Sequence, residues 1–92
     1  MKVVFTIPAR EDLEEIHRFI ISHYPTLGAR VEKNIQQTVR RIREWPESAQ
    51  QVSKRPDVRM IPLVQYPYKI FYRIGSKKIE ILHVHHSSQD TW

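Results

Sequence analysis

Apolar and polar residues alternate in the last third of the chain, and this pattern predicts a pair of β-strands. Residues 68–74 carry an aromatic or aliphatic side chain at every second position, and residues 78–86 continue with an equally apolar run. The Gly-Ser-Lys sequence at 75–77 is typical of a tight turn. We therefore expect residues 66–86 to form a two-stranded antiparallel hairpin. Both faces of its second strand carry apolar residues, which favours a position at the centre of a sheet.

Strict alternation along this hairpin also predicts which side chains share a face of the sheet. On the first strand, the even-numbered residues of 68–74 are expected on one face and the odd-numbered residues on the other. On the second strand, one face is expected to carry Ile79, Ile81, His83 and His85. Because a shift of one residue exchanges the two sets, the register decides which set faces the solvent.

The first half of the chain has the pattern of one strand followed by two helices. Residues 2–7 are β-branched and aromatic, which predicts a strand that ends at Pro8. Apolar residues then recur at three- and four-residue spacing, which predicts a helix that Pro25 ends. A second amphipathic helix is expected from Thr26, as its N-cap, to Pro46. The short connection favours an antiparallel helical hairpin.

The polar segment 46–57 lacks periodicity and is predicted to be a loop. Residues 58–64 have the composition of a strand, but Pro62 cannot donate to a ladder, so this strand is expected at an edge or with a bulge. The predicted order is β-α-α-β-β-β in one domain spanning 1–92. This order indicates an α+β fold, with the antiparallel helical hairpin packed on one face of a mainly antiparallel four-stranded sheet.

Composition narrows the function classes. The formal net charge is +5 and the pI is about 9.8, which favours nucleic acid or an acidic protein as partner. The chain has no cysteine, which excludes disulfides, thiolate metal sites and a cysteine nucleophile. No apolar run approaches the roughly 20 residues of a membrane span. A basic cytoplasmic protein without membrane partner or cofactor is expected.

A set of short segments extends in a characteristic order along the whole chain: AREDLEEI at 9–16, PES at 46–48, Arg59, YPYKIFYRI at 66–74, IEILHVHH at 79–86, and Trp92. With the element order, length and basic charge, this set resembles the RelE/ParE superfamily of toxins of type II toxin–antitoxin systems. The resemblance implies a growth-inhibiting toxin of the plasmid-stabilisation type. It also implies an acidic, partly disordered antitoxin with a DNA-binding N-terminal domain.

The resemblance leaves three activities open. A ParE-like toxin would bind a cellular target, by analogy DNA gyrase, without catalysis. A RelE-like toxin would be an endoribonuclease that cleaves mRNA on the ribosome, and a remnant would bind antitoxin but be non-toxic. RNA-cleaving relatives often have an arginine where this chain has Gln89, and no lysine cluster precedes Arg59. Since glutamine carries no charge to stabilise a phosphate, the ParE-like activity is favoured.

Candidate site residues follow from these alternatives. If the protein is a nuclease, His85 or His86 would act as general acid or base, and Arg59 and Arg73 would hold the phosphate. Binding of antitoxin or target is expected to involve Arg40, Arg41, Arg59, Arg73 and Trp92.

A metal site is not expected from the sequence. His83 and His85 have the two-residue spacing that places two imidazoles on one strand face. However, the chain has no cysteine, and these histidines have no obvious carboxylate partner nearby in sequence. A half-buried, hydrogen-bonded structural role for His83 is therefore the simpler interpretation.

Overall fold

Residues 1–89, which the computed structural model describes, form two helices and five strands. The predicted element order is confirmed, with one additional short strand after the second helix. In chain order, the elements are β1 (Lys2–Phe5), α1 (Ile7–His23), α2 (Gly28–Glu44), β2 (Gln50–Val52), β3 (Arg55–Pro62), β4 (Tyr68–Ile74) and β5 (Lys78–His86).

The strands form a single mixed sheet in the order β1-β5-β4-β3-β2. β1 pairs with β5 in parallel, and the other neighbours are antiparallel. The α+β fold is therefore confirmed, and so are the β4–β5 hairpin and the central position of β5. The prediction of four strands was wrong, because β2 lies within the segment expected to be a loop.

β2 forms because β3 offers it a partner, whereas its own sequence is polar. Gln50 pairs with Met60 and Gln51 with Arg59, and the register then shifts before Val52. Such an irregular edge strand has no apolar alternation by which it could be recognised. Pro62 lies at the end of β3, where only β4 is paired with it. Its missing N–H is tolerated because β2 does not extend that far.

The helix starts differ from the sequence prediction. Thr6, expected within the first strand, is the N-cap of α1, and its hydroxyl accepts a hydrogen bond from the Ala9 N–H at 3.3 Å. The same hydroxyl donates to the Ile81 carbonyl of β5 at 2.8 Å. Thr26 is not the cap of α2: the N-cap is Leu27, without a side-chain cap bond. Leu27 is partly buried against the core, so packing rather than capping positions this helix start.

The core lies between the two helices and one face of the sheet. From α2, an apolar stripe of Val31, Ile35, Val39 and Ile42 is buried, whereas α1 contributes mainly Ala9 and Ile20. The sheet contributes Ile70, Tyr72, Ile79 and Ile81, all fully buried. Burial of these side chains is the main stabilising contribution in so small a domain. Among the described residues, no helix is long and apolar enough to cross a membrane.

Candidate functional site

A β-bulge decides which side chains of β5 reach the open face of the sheet, the face that the helices do not cover. Phe71 of β4 pairs with His83, but Tyr72 pairs with Ile81, so Leu82 is an extra residue in β5. The bulge reverses the alternation: Ile81 stays on the core side while His83 and the residues that follow change sides. The expectation that Ile79, Ile81, His83 and His85 share one face was therefore wrong.

The open face carries a row of polar and aromatic side chains. Cross-strand pairs on this face are Lys69 with His85 and Phe71 with His83. The Phe71 ring lies 5.4 Å from the His85 ring and is only 4% exposed. The Lys69 ammonium lies 5.8 Å from the centre of the Phe71 ring. Long side chains thus cover an aromatic centre on a face that no helix shields.

Asp12 joins this row from helix α1. Its Oδ2 lies 2.9 Å from His83 Nδ1 and accepts a hydrogen bond from the Val84 N–H at 3.0 Å. This is possible because β1 ends opposite Ile81, so the edge of β5 beyond it is open to α1. The His83 ring in turn lies 4.8 Å from the His85 ring. Asp12, His83 and His85, all partly buried, thus form one cluster, which we call the edge cluster.

His86 lies on the opposite side of β5 from His85. It is exposed, and its ring makes an edge contact with the Tyr68 ring at 5.6 Å. His86 Nδ1 is 2.7 Å from the Ser88 hydroxyl, so the side chain is engaged with the turn that follows β5. The two histidines proposed as acid and base thus start from opposite faces of β5, although both side chains line one cleft beside α1.

Arg73 is paired with two carboxylates. Its Nη2 lies 2.8 Å from Glu80, the cross-strand residue, and its Nη1 lies 3.7 Å from Asp57. The hydrogen bond with Glu80 raises the pKa of the Arg73 guanidinium, and the same bond lowers the pKa of the Glu80 carboxyl. Because these carboxylates partly compensate its charge, Arg73 should attract a phosphate less strongly than an isolated arginine would.

Arg59 lies on the helix side of the sheet, paired with Tyr72. Its Nη1 donates to the carbonyls of Glu47 and Ala49 at 2.9 and 2.8 Å. The neighbouring Tyr72 hydroxyl donates to the Pro46 carbonyl at 2.6 Å, and burial raises the pKa of this tyrosine. Both side chains therefore tie the segment between α2 and β2 to the sheet.

The remaining sequence candidates lie elsewhere. Arg40 and Arg41 are exposed on α2, which has five basic residues against two acidic residues. Trp92 lies outside the described residues. A groove of about 680 Å³ separates α1 from α2, with walls that include Leu13, Ile16, Val31 and Ile35. Arg40 lies one helical turn beyond Gln36, a residue that lines this groove.

The structure thus separates the two candidate arginines from the two candidate histidines and assembles a cluster that the sequence did not indicate. Arg59 is on the core side, and Arg73 is four residues along β4 from Lys69, the partner of His85, or about 13 Å. Asp12 was overlooked because 71 residues separate it from His83. Its position in the first turns of a helix that follows an edge strand was the only local signal.

Comparisons with known proteins agree on the fold. Residues 3–91 match the family model described as the ParE toxin of the type II toxin–antitoxin system parDE. A chromosomal ParDE toxin–antitoxin structure from P. aeruginosa is similar with a TM-score of 0.82 and 24% identity, covering 94% of this chain and 95% of that one.

A second solved structure, the isolated E. coli RelE toxin, is similar with a TM-score of 0.66 and 18% identity. That likeness covers 97% of this chain and 86% of the RelE chain. No curated protein sequence matches. At these identities, the two structural likenesses show the fold, whereas the family model covers nearly the entire sequence.

Proposed function

This chain belongs to the ParE toxin family of type II toxin–antitoxin systems, and we propose that it inhibits growth by binding its target without catalysis. Its partner in such a system is an antitoxin. By analogy with the family, the proposed target is DNA gyrase, which would be met in the cytoplasm. Plasmid stabilisation is the proposed role of the pair.

The observation that carries this proposal is that both arginines proposed to hold the phosphate are engaged elsewhere, away from the candidate histidines. Phosphodiester cleavage needs a base, an acid and a phosphate-binding cation around one reacting group. His85 and His86 line one cleft, but Arg59 binds two backbone carbonyls on the helix side of the sheet, and Arg73 binds two carboxylates. Such an arrangement supports a binding protein better than a nuclease.

Induced expression with two readouts tests the proposal. We expect filamentation, a DNA-damage response and intact mRNA, and we expect the purified protein to inhibit supercoiling by gyrase without ribosomes present. A His85→Ala/His86→Ala/Arg73→Ala variant should retain this toxicity if it folds, as judged by circular dichroism. If the wild-type protein cleaves mRNA at ribosome-bound positions and this variant does not, the protein is instead a RelE-like endoribonuclease. No effect on growth would indicate a non-toxic remnant.

For the antitoxin, we propose an acidic amphipathic helix that docks in the groove between α1 and α2. The groove walls include the apolar residues Leu13, Ile16, Val31 and Ile35, and Arg40 lies one helical turn beyond Gln36 on the groove side of α2. Arg41 is also exposed and lies about 100° further round the helix. An acidic segment that is disordered when alone can wrap such a surface and gain charge pairing at its rim. Arg40 and Arg41 are therefore the preferred contacts, because Arg59 and Arg73 are engaged within the toxin.

Charge reversal tests the docking site. Arg40→Glu/Arg41→Glu should weaken antitoxin binding by at least about tenfold, as measured by titration calorimetry with the antitoxin encoded beside the toxin. Lys77→Glu is the matched control, because this exposed lysine lies in the β4–β5 turn. If the wild-type protein and both variants bound the antitoxin with equal affinity, docking at α2 would be contradicted.

A further inference from the structure

We propose that the edge cluster of Asp12, His83 and His85 binds a divalent transition-metal ion such as Zn²⁺. The site would be independent of the proposed toxin activity. Its donor atoms, one carboxylate oxygen and two imidazole nitrogens, all lie within 4.8 Å of one another. Two nitrogen donors and one oxygen donor favour Zn²⁺ and its neighbours over Mg²⁺ or Ca²⁺, which take oxygen ligands.

The distances suit a tetrahedral ion with small side-chain adjustments. Bonds of about 2.0–2.1 Å in a tetrahedron place ligand atoms about 3.4 Å apart. The Asp12–His83 pair at 2.9 Å would open slightly, and the other donor pairs, which lie within 4.8 Å, would close by up to about 1.4 Å. All three side chains are partly exposed, so rotation about their χ angles can supply this change.

Groups around the cluster already orient two of the three ligands. The Val84 N–H holds the Asp12 carboxylate at 3.0 Å, and the Phe71 ring packs against the His85 ring. Fixed neighbours of this kind hold metal ligands in position before an ion arrives. Lys69, the cross-strand partner of His85, donates from its ammonium to the Gln89 carbonyl at 2.6 Å, and so points toward the residues that follow β5.

The edge cluster is also accessible from solvent and leaves room for a further ligand of the metal ion. A cleft of about 330 Å³ borders the cluster and is lined by Asp12, Glu15, His85 and His86, among others. Water in this cleft could complete the coordination shell, as in zinc sites with three protein ligands. A bound ion would also join α1 to the β5 edge, because Asp12 belongs to the helix and both histidines belong to the strand. We therefore expect binding to stabilise the fold.

The test uses the purified full chain, with any affinity tag removed, and Co²⁺ or Zn²⁺ as the probe. We expect saturable Co²⁺ binding with tetrahedral visible absorption bands, and displacement of Co²⁺ by Zn²⁺. At Zn²⁺ 100-fold above its dissociation constant, Tm should rise by about 10 °C or more. Asp12→Asn and His85→Gln should each weaken binding by at least about tenfold.

His86→Gln is the matched control, since this histidine lines the same cleft but does not belong to the group of mutually close donor atoms. It should leave the affinity unchanged. Asp12→Asn retains an oxygen for the Val84 N–H, so the fold should persist, and Tm without metal checks this. Paramagnetic broadening of histidine resonances gives a test without variants: His83 and His85 should broaden before His17 and His23. The proposal is wrong if no saturable binding occurs up to millimolar metal, or if His85→Gln and His86→Gln bind equally.

Discussion

Replacing Arg59 by alanine tests whether this arginine stabilises the fold or binds the target. The guanidinium holds the carbonyls of Glu47 and Ala49 at 2.9 and 2.8 Å, just after the end of α2. Arg59→Ala removes both bonds and leaves the half-buried Ala49 carbonyl without this donor. We expect the segment that leads into β2 to loosen and the whole domain to lose stability.

The expected loss of unfolding free energy depends on how exposed the two hydrogen bonds are. Hydrogen bonds from a charged donor contribute about 1.5–3 kcal/mol when buried, but the bond to Glu47 is exposed and that to Ala49 is only partly buried. We therefore assign about 1 kcal/mol to each, or about 2 kcal/mol in total. In a domain of this size, about 2 kcal/mol lowers Tm by about 10 °C. Arg59→Lys should lose about half as much, because one ammonium cannot span both carbonyls equally well.

Urea and thermal denaturation followed by circular dichroism measure this loss, with Arg40→Ala as the matched control on an exposed helical surface. Below the Tm of the variant, Arg59→Ala should remain toxic, because the residue faces the core side and contacts the chain itself. If Arg59→Ala melts within about 2 °C of Arg40→Ala, the structural role is refuted. Loss of toxicity with unchanged stability would assign Arg59 to target binding instead.

Three further substitutions test other parts of the structure. Thr6→Ala should cost about 1–2 kcal/mol of unfolding free energy by urea titration, because the residue caps α1 and binds β5, whereas Thr26→Ala should change it by only a few tenths. Tyr72→Phe should cost about 1–2 kcal/mol in the same assay, since it leaves a backbone carbonyl without its donor. An unchanged midpoint would contradict that bond. Glu80→Gln should lower Tm at pH 7 through loss of the Arg73 pair. Because the hydrogen bond from Arg73 lowers the pKa of Glu80 in the folded state, its contribution is present above about pH 4.3, so the Tm difference should shrink and vanish as pH falls through the folded-state pKa.

The local pattern was sufficient for most of the fold. Apolar spacing predicted both helices, and alternation predicted the β4–β5 hairpin, with the turn where the structure has it. The same pattern failed at β2, whose glutamines gain strand structure only by pairing with β3. It also failed for the start of α2, where burial of Leu27 outweighs the capping preference of Thr26.

For the candidate site, the sequence supplied residue types but not their grouping. Periodicity of two places His83 and His85 on one face, and this was sufficient to pair them. The bulge at Leu82 decided which face that is, and a bulge depends on how two strands align. Likewise, Arg59 and Arg73 look equivalent in sequence, yet register puts one on the core side and the other on the open face.

The sequence by itself thus determined the order of elements, the amphipathic faces of the helices and the resemblance to a toxin family, since these depend on residues close together in the chain. Only the tertiary structure decided that Asp12 meets His83, that Arg59 is held by backbone carbonyls and that the candidate arginines lie away from the candidate histidines. These facts depend on the pairing of distant segments. Asp12 meets His83 because β1 ends before β5 does, which leaves a strand edge that the first helix must cover. The position of Arg59 follows from the register of β3 on β4, which places it on the helix side beside the segment after α2.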